Sequence, residues 1–141
     1  MLTILTALSA FGGCNAARWY LDRSSRRETA YWGGRVRLKA LWNSGAAFSL
    51  PIPPEALRPA SAAALAVLWT TRKRSPFGTG LILGGGLSNL YERVSYGKVY
   101  DYLQFPKAPG PLRRYVFNLA DLSILSGCAL CICGKKRASK R

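Results

Sequence analysis

Tyr115-Val-Phe-Asn-Leu-Ala-Asp-Leu-Ser-Ile-Leu-Ser-Gly-Cys-Ala-Leu-Cys-Ile-Cys-Gly134 is the stretch of sequence that decides the fold. It is predominantly apolar and carries a single charged side chain, that of Asp121. A helix of about 20 apolar residues can cross the hydrocarbon core of a bilayer. An ionisable residue inside such a run is costly and indicates a functional site. The stretch therefore predicts a membrane helix, over 115–134, that carries chemistry.

Three further stretches are apolar with little or no charge, and strongly basic segments separate them. They cover about residues 2–20, 55–71 and 76–91. Hydrophobic residues make up 49% of the 141-residue chain, yet its mean hydropathy is only +0.03. Such segregation of apolar from charged segments is typical of membrane spans with charged connections. The sequence predicts an all-α membrane protein with four transmembrane helices, forming one domain over residues 1–141.

A small sheet is expected between the first two helices. Val36-Arg-Leu-Lys-Ala-Leu-Trp42 begins with alternating apolar and polar residues, which favours a strand. Turn signals flank it, Gly33-Gly34 before and Asn43-Ser-Gly45 after. We predict an extracytoplasmic β-cradle over about residues 33–50 and interpret the segment from Glu92 to Arg114 as a polar connection.

The chain is strongly basic and has no histidine. Its formal net charge is +15, from 21 Lys and Arg against 6 Asp and Glu. With apolar spans present, the expected partners are membrane lipids with anionic headgroups, and no nucleic acid, which would leave the spans unexplained. The absence of histidine excludes Ser-His-Asp and Cys-His catalysis and His-ligated zinc. Acid–base chemistry must come from the few carboxylates or from Lys, Tyr or Cys.

Three of the four cysteines lie close together in the last apolar run, at Cys128, Cys131 and Cys133. Their spacing is compatible with metal ligation. Three ligands leave a site incomplete, however, and a thiolate cluster in hydrocarbon is costly without its metal. We interpret these cysteines as small apolar helix residues and predict no metal and no cofactor.

Asp101 is the candidate partner of Asp121. Two close carboxylates can share one proton and act as an acid–base pair. Each residue also has an ordinary structural interpretation. Asn118 and Asp121 could cap the start of a helix reciprocally, and Asp101 could be a simple loop carboxylate.

Three segments, in this order, resemble the signature blocks of signal peptidase II. Asn43-Ser-Gly-Ala-Ala-Phe-Ser49 is similar to its Asn-x-Gly-Ala-Ala-Phe-Ser block. Gly84-Gly-Gly-Leu-Ser-Asn-Leu-Tyr-Glu-Arg-Val-Ser-Tyr-Gly-Lys-Val-Tyr-Asp-Tyr102 is similar to the glycine-rich block with Asn, Asp-Arg and Val-x-Asp-Phe. Phe117-Asn-Leu-Ala-Asp121 is similar to the Phe-Asn-x-Ala-Asp block. Order and spacing agree, and the resemblance covers nearly the whole chain.

The resemblance implies a membrane aspartic endopeptidase that removes the signal peptide from prolipoproteins, cleaving on the amino side of a diacylglyceryl-modified Cys. The family's two catalytic aspartates fall on Asp101 and Asp121. Its other polar site residues, expected to bind the substrate, fall on Asn43, Gly45, Asn89, Arg93, Asn118 and Ala120. A multi-pass protein of the bacterial plasma (inner) membrane is implied, and we expect a monomer.

The chain departs from the family pattern at several positions. Glu92 stands for the Asp of Asp-Arg, Ser88 for the Gly before Asn89, and Tyr102 for the Phe after the catalytic Asp. Cys14-Asn-Ala-Ala-Arg18 stands for the first-helix Asp-Gln-x-x-Lys motif. This last change is expected to weaken a contact of the first helix and to affect efficiency before activity.

Four spans place both termini on one side of the membrane. The resemblance and a basic tail over 135–141 favour the cytoplasmic side, although the opposite side holds more Lys and Arg, against the positive-inside rule. The alternative function is that of a catalytically inactive relative or a basic membrane adaptor that binds anionic lipid. A requirement for both aspartates in forming a chemical product distinguishes the peptidase from these.

Overall fold

The computed structural model describes residues 1–24, 28–46 and 50–138. Four α-helices and one antiparallel sheet make up this part of the chain. In chain order the elements are α1 (Leu2–Arg23), β1 (Ala30–Tyr31), β2 (Val36–Asn43), α2 (Pro54–Thr70), α3 (Pro76–Tyr96), β3 (Val99–Gln104), a 3-10 turn (Gly110–Arg114), β4 (Val116–Phe117) and α4 (Leu119–Ala138). The prediction of four helices with a small sheet is confirmed.

The helix α3 lies at the centre and packs against the other three. Its glycines make this possible because they face different neighbours. A Cβ atom on Gly84 would lie 2.5 Å from the carbonyl oxygen of Ala7 on α1, and one on Gly85 would lie 2.6 Å from the carbonyl oxygen of Ala120 on α4. Small residues thus let the helix backbones approach closely, as they do in membrane bundles.

The sheet has the order β1-β2-β3-β4, with every neighbouring pair antiparallel. Leu41 of β2 pairs with Asp101 of β3, and a bulge separates this part of the ladder from the pair of Leu38 with Leu103. β4 pairs with the end of β3, Leu103 facing Phe117. Since α4 starts directly after β4, the sheet places the strand that bears Asp101 beside the start of α4.

The elements differ in extent from the sequence prediction. The fourth helix begins at Leu119, and not at residue 115, because Val116 and Phe117 pair with β3. α3 continues beyond residue 91 to Tyr96 and ends where Gly97 adopts a left-handed conformation with φ of 73°. The first helix, predicted over 2–20, continues to Arg23, and the second covers Pro54–Thr70 where 55–71 was predicted.

The cradle is larger than the predicted range of 33–50. It gains β1 before that range, and β3 and β4 from the segment interpreted as a polar connection. Residues 47–49 of the predicted range, and 139–141 of the predicted basic tail, lie outside the described residues. Within the described ranges no helix combines the length and the apolarity needed to cross a membrane.

Candidate active site

The side chain of Asn118 joins the two aspartates. It occupies the position just before α4, at the end of β4, and is almost fully buried. Its Nδ2 donates a hydrogen bond to Asp101 Oδ1 at 2.9 Å and another to Asn89 Oδ1 at 3.1 Å. Asp121, three residues further along, is bonded to the same Asn118 through the backbone. Asn118 therefore contacts both aspartates and caps the start of α4.

The start of α4 is capped reciprocally by two of these residues. The backbone N–H of Asp121 donates to Asn118 Oδ1 at 2.9 Å, and the backbone N–H of Asn118 donates to Asp121 Oδ2 at 3.0 Å. This is the capping-box arrangement, with Asp in place of Glu. The structural and the functional interpretations of this motif are therefore compatible, because the cap itself orients the Asp121 carboxylate.

Two further asparagines donate to the remaining carboxylate oxygens. Asn43 at the end of β2 reaches Asp101 Oδ2 with its Nδ2 at 3.2 Å. Asn89 on α3 reaches Asp121 Oδ1 with its Nδ2 at 3.0 Å. Every oxygen of the pair thus accepts at least one hydrogen bond from an uncharged amide. Among the described residues the carboxylates are oriented by these three asparagines, and no cation forms an ion pair with either of them.

Burial changes the acidity of Asp101. Its side chain lies on β3 with only 4% of the residue exposed. Burial first, and then the nearby charge of Asp121, raise the pKa of the Asp101 carboxyl from 3.8 to about 7, against the lowering effect of its hydrogen bonds to Asn43 and Asn118 and of the charge of Arg93. Asp101 therefore holds a proton at pH values where an ordinary aspartate has lost it.

Arg93 braces the loop that follows β2. Its Nη2 donates to the carbonyl oxygen of Gly45 at 3.3 Å, and its Nη1 donates to the carbonyl oxygen of Asn89 at 3.4 Å. Gly45 in turn donates its backbone N–H to Asn43 Oδ1 at 2.9 Å. The buried Nε of Arg93 has no hydrogen-bond partner among the described residues. These contacts use two of the five N–H groups of the guanidinium, and Arg93 lines the cavity described next.

A cavity of about 430 Å³ lies over these groups. Six of the predicted site residues line it, namely Asn43, Asn89, Arg93, Asp101, Asn118 and Asp121. Gly45 and Ala120 do not: Gly45 lies behind Arg93, and Ala120 is buried with its carbonyl oxygen against α3 at Gly85. The rest of the wall is mostly apolar, with residues of α2, α3, α4, β3 and β4. The cavity thus has one polar end and one apolar end.

Two residues near the site were not assigned to it from the sequence. Buried Glu92 accepts a hydrogen bond from the backbone N–H of Tyr100 at 2.8 Å, next to Asp101. The hydroxyl of Tyr102 accepts the backbone N–H of Leu119, the first residue of α4, at 3.1 Å. The sequence did indicate a place for Glu92 near the site, because it lies three residues after Asn89 and so on the same helix face. The contact of Tyr102 depends on pairing between distant segments, so no local signal existed.

The departures from the family pattern contact one another. Asn15 of α1 donates to the hydroxyl of Ser88 on α3 at 3.2 Å. Arg18 lies 3.9 Å from the carboxylate of Glu92, between Nε and Oε1. The altered first-helix motif therefore keeps polar contacts with α3, at the very positions where α3 is altered as well.

The cysteines offer no metal site in the described part of the chain. Cys14 is buried on α1, far in sequence from the other three, and no group of three or more Cys, Asp or Glu side chains suited to a metal ion occurs among the described residues.

Known proteins resemble this chain in sequence. The Peptidase_A8 family, described as signal peptidase (SPase) II, matches residues 15–135. A protein of Methylocella silvestris named lipoprotein signal peptidase is 45% identical over 67 residues, which are 45% of this chain and 38% of that protein. One of the same name from Chlorobaculum parvum is 39% identical over 102 residues, 62% of this chain and 64% of that protein. In both cases the match covers less than two thirds of the relative.

The fold also matches a solved structure. A bacterial membrane enzyme determined at 2.3 Å by the in meso method superposes with a TM-score of 0.82 and 18% sequence identity, over 97% of this chain and 88% of the other. At that identity the match concerns the fold alone. The family match covers most of the chain, including both aspartates and the three asparagines around them. The chain belongs to the signal peptidase II family.

Proposed function

We propose that this protein is an aspartic endopeptidase that removes the signal peptide from prolipoproteins, with Asp101 and Asp121 as its catalytic pair. The single observation that carries the proposal is the connection of both carboxylates through Asn118 at the polar end of one cavity. The bond cleaved lies on the amino side of a diacylglyceryl-modified Cys. The names of the relatives support this substrate class.

The reaction divides the work between the two carboxyl groups. Asp101, whose pKa is raised, keeps a proton and donates it toward the scissile carbonyl oxygen. Asp121, held by the N–H of Asn118 and the amide of Asn89, acts as the base that takes a proton from water. The hydroxide so formed attacks the carbonyl carbon and gives a tetrahedral diol. The C–N bond then breaks as Asp121 passes its proton to the leaving amine nitrogen, and the proton on the former carbonyl oxygen returns to Asp101.

Each substrate-contacting group has a proposed task. The guanidinium of Arg93, which lines the cavity and has further N–H groups, donates to a carbonyl or ester oxygen of the lipid-modified Cys region. Asn43, Asn89 and Asn118 orient the carboxylates and contact the nearby backbone. Gly45 and Ala120 act indirectly, through Arg93 and through the packing of α4 on α3. No cofactor takes part in this scheme.

The apolar end of the cavity suits a lipid chain. Leu57 and Leu65 of α2, Ile82 of α3, and Ile124 and Leu125 of α4 line it. Burying a methylene group among such side chains is favourable by about 0.8 kcal/mol. A diacylglyceryl group entering between these helices would place the adjacent peptide bond at the polar end, beside the two aspartates.

A membrane location is part of the proposal, with four helices crossing the bacterial plasma membrane and the chain acting as a monomer. Large apolar side chains cover the outer faces of the helices, among them Leu8, Val67, Val94 and Ile132. Exposed apolar surface on this scale is typical of contact with lipid or a partner. The buried face of α3 carries mainly Gly, Thr, Ser and Asn, which lowers the mean hydropathy of that helix.

Aromatic residues with adjacent cations lie at both ends of the bundle. The Arg23 guanidinium lies 4.4 Å from the Trp19 ring at the end of α1, and that of Arg72 lies 4.3 Å from the Trp69 ring at the end of α2. The end of α1 is next to the sheet, whereas the end of α2 leads into α3 on the opposite side. Such aromatic belts favour the two interfaces of a bilayer.

The direct experiment is cleavage of a diacylglyceryl-modified prolipoprotein by the purified protein. We expect the mature lipoprotein and the free signal peptide as products. The same precursor without its lipid serves as the control for substrate class. An inactive relative, or an adaptor that binds anionic lipid, would bind vesicles but release no peptide, and that result would exclude the proposed activity.

A further inference from the structure

The hairpin that joins β1 to β2 exposes a tryptophan at its tip. Trp32 is 79% exposed, more than any other tryptophan in the described residues. Its backbone has a φ of 49°, in the left-handed region, and Gly33 and Gly34 follow with φ of 63° and 79°. Such a conformation is uncommon for a bulky residue, and glycine would fit it better. An outlier of this kind at an exposed tip suggests that the side chain has a function there.

Cations flank the tip on the strand that follows. Arg35 lies in the turn that follows Trp32, Arg37 is the second residue of β2, and both are exposed. Lys39 follows within the bulge between Leu38 and Leu41. One carboxylate, that of Glu28, lies on the chain before β1. The hairpin therefore presents a large aromatic ring and an excess of positive charge to the same surroundings.

We propose that the hairpin tip, defined as Trp32 with Arg35 and Arg37, docks on an anionic lipid surface. Tryptophan prefers the boundary between headgroups and acyl chains because its ring is apolar and its N–H can be hydrogen bonded. Arginines at the same level pair with lipid phosphates. The inference rests on the proposed membrane location and adds to it a dependence on lipid charge at the sheet end of the molecule.

This docking explains the excess of Lys and Arg on the sheet side, which the positive-inside rule does not favour. Cations that bind headgroups stabilise the sheet against the membrane after insertion. The number of basic residues on the sheet side is then set by headgroup binding and does not indicate the orientation in which the protein was inserted. The sheet carries Asp101 and Asn43, so its position on the membrane sets the depth of the site relative to the lipid headgroups.

The test uses the full chain reconstituted in vesicles of phosphatidylcholine, with or without phosphatidylglycerol. The emission of Trp32 is obtained as the difference between the parent and Trp32→Phe. We expect brominated lipid to quench this emission and iodide in the water phase to quench it weakly. With phosphatidylglycerol present, iodide quenching should fall at least about twofold further at low salt, and high salt should reverse the change.

Charge variants test whether Arg35 and Arg37, rather than the overall positive charge of the protein, cause the response to phosphatidylglycerol. Arg35→Gln combined with Arg37→Gln should abolish the response to phosphatidylglycerol, whereas Arg72→Gln combined with Lys73→Gln, at the opposite end, should preserve it. Strong iodide quenching in both kinds of vesicle, or quenching insensitive to lipid charge, would overturn the docking surface while leaving the peptidase proposal intact. Release of the whole protein by an alkaline wash would overturn the membrane location and the docking surface together.

Discussion

At the scale of single residues, amides surround the two aspartates, and this controls where the proton resides. Asn43, Asn89 and Asn118 donate to the carboxylates without adding charge. A cation in their place would keep both groups ionised. Neutral donors instead orient the oxygens while burial continues to favour a shared proton. The choice of asparagine is thus consistent with a pair in which one carboxyl is neutral.

The activity should therefore decrease as pH rises through about 7. The pKa of Asp101 is raised to about 7, so this carboxyl is protonated below that pH and ionised above it. In the proposed mechanism Asp101 supplies its proton to the scissile carbonyl, and loss of that proton removes the donor. A pH profile of kcat on purified enzyme checks this. A value of kcat that keeps increasing up to pH 9 would show that Asp101 does not supply the proton.

The stability of the folded state should also decrease as pH rises, because of the same carboxyl group. Asp101 binds its proton more tightly in the folded than in the unfolded chain, so the folded state loses stability as pH rises from about 4 through about 7. An amide at this position has no such cost. The variant Asp101→Asn should consequently be at least as stable as the parent above pH 7, as judged by thermal unfolding at pH 6 and pH 8. This separates loss of activity from loss of fold.

Arg93→Lys should reduce activity by about tenfold or more with normal expression. The guanidinium donates to two backbone carbonyls, those of Gly45 and Asn89, and has further N–H groups for the substrate in the cavity. The compact ammonium of lysine cannot reproduce this fork. The measurement is the cleavage rate of matched preparations. Turnover within about twofold of the parent would show that Arg93 only anchors a helix end.

At the scale of elements, local patterns predicted the helices and missed three of the four strands. The Phe117–Asp121 block identified Asn118 and Asp121, because a cap and a motif are both local. β3 was interpreted as a connection, since the partners of Tyr100 and Tyr102 are distant in sequence and pairing context decides strand formation. For the same reason β4 was assigned to the helix that follows it. The resemblance to a family, and not the pattern alone, linked Asp101 to Asp121.

Close contact between helices depends on glycine at defined positions. Gly84→Ala would place a Cβ 2.5 Å from the Ala7 carbonyl oxygen and 2.6 Å from Ala10 Cβ, where backbone cannot move cheaply. We expect a loss of about 1–3 kcal/mol in the free energy of unfolding, typical of overpacking. Thermal unfolding in detergent measures it. Gly13→Ala is the matched control, because its Cβ would have nothing within 4 Å. Equal unfolding temperatures for the two variants would contradict the packing described for α1 on α3.

At the scale of the whole molecule, the sheet gives the bundle two unlike ends. One end carries the sheet, the site and the hairpin tip. The other end carries the turn between α2 and α3, the start of α1 and the end of α4. This asymmetry requires that a membrane orientation be specified, and the proposal places the sheet outside.

Labelling of engineered cysteines tests that orientation. In a chain with Cys128, Cys131 and Cys133 replaced by Ser, Lys107→Cys lies on the sheet end and Lys73→Cys on the opposite end, both at exposed positions. A membrane-impermeant maleimide added to intact cells should label position 107 and leave position 73 unlabelled until the cells are broken. The reverse pattern would show that the distribution of basic residues, and not the resemblance, determines the orientation.

The most direct measurement of the central claim is the cleavage of a diacylglyceryl-modified prolipoprotein by the parent, Asp101→Asn and Asp121→Asn. An amide keeps the shape of each side chain but cannot exchange the proton. We predict that the parent releases the signal peptide and that each variant loses detectable turnover. Above pH 7 the unfolding temperature of Asp101→Asn should stay at or above that of the parent, and Asp121→Asn should still unfold cooperatively. Near-normal turnover by either folded variant would contradict the assignment of that aspartate to catalysis.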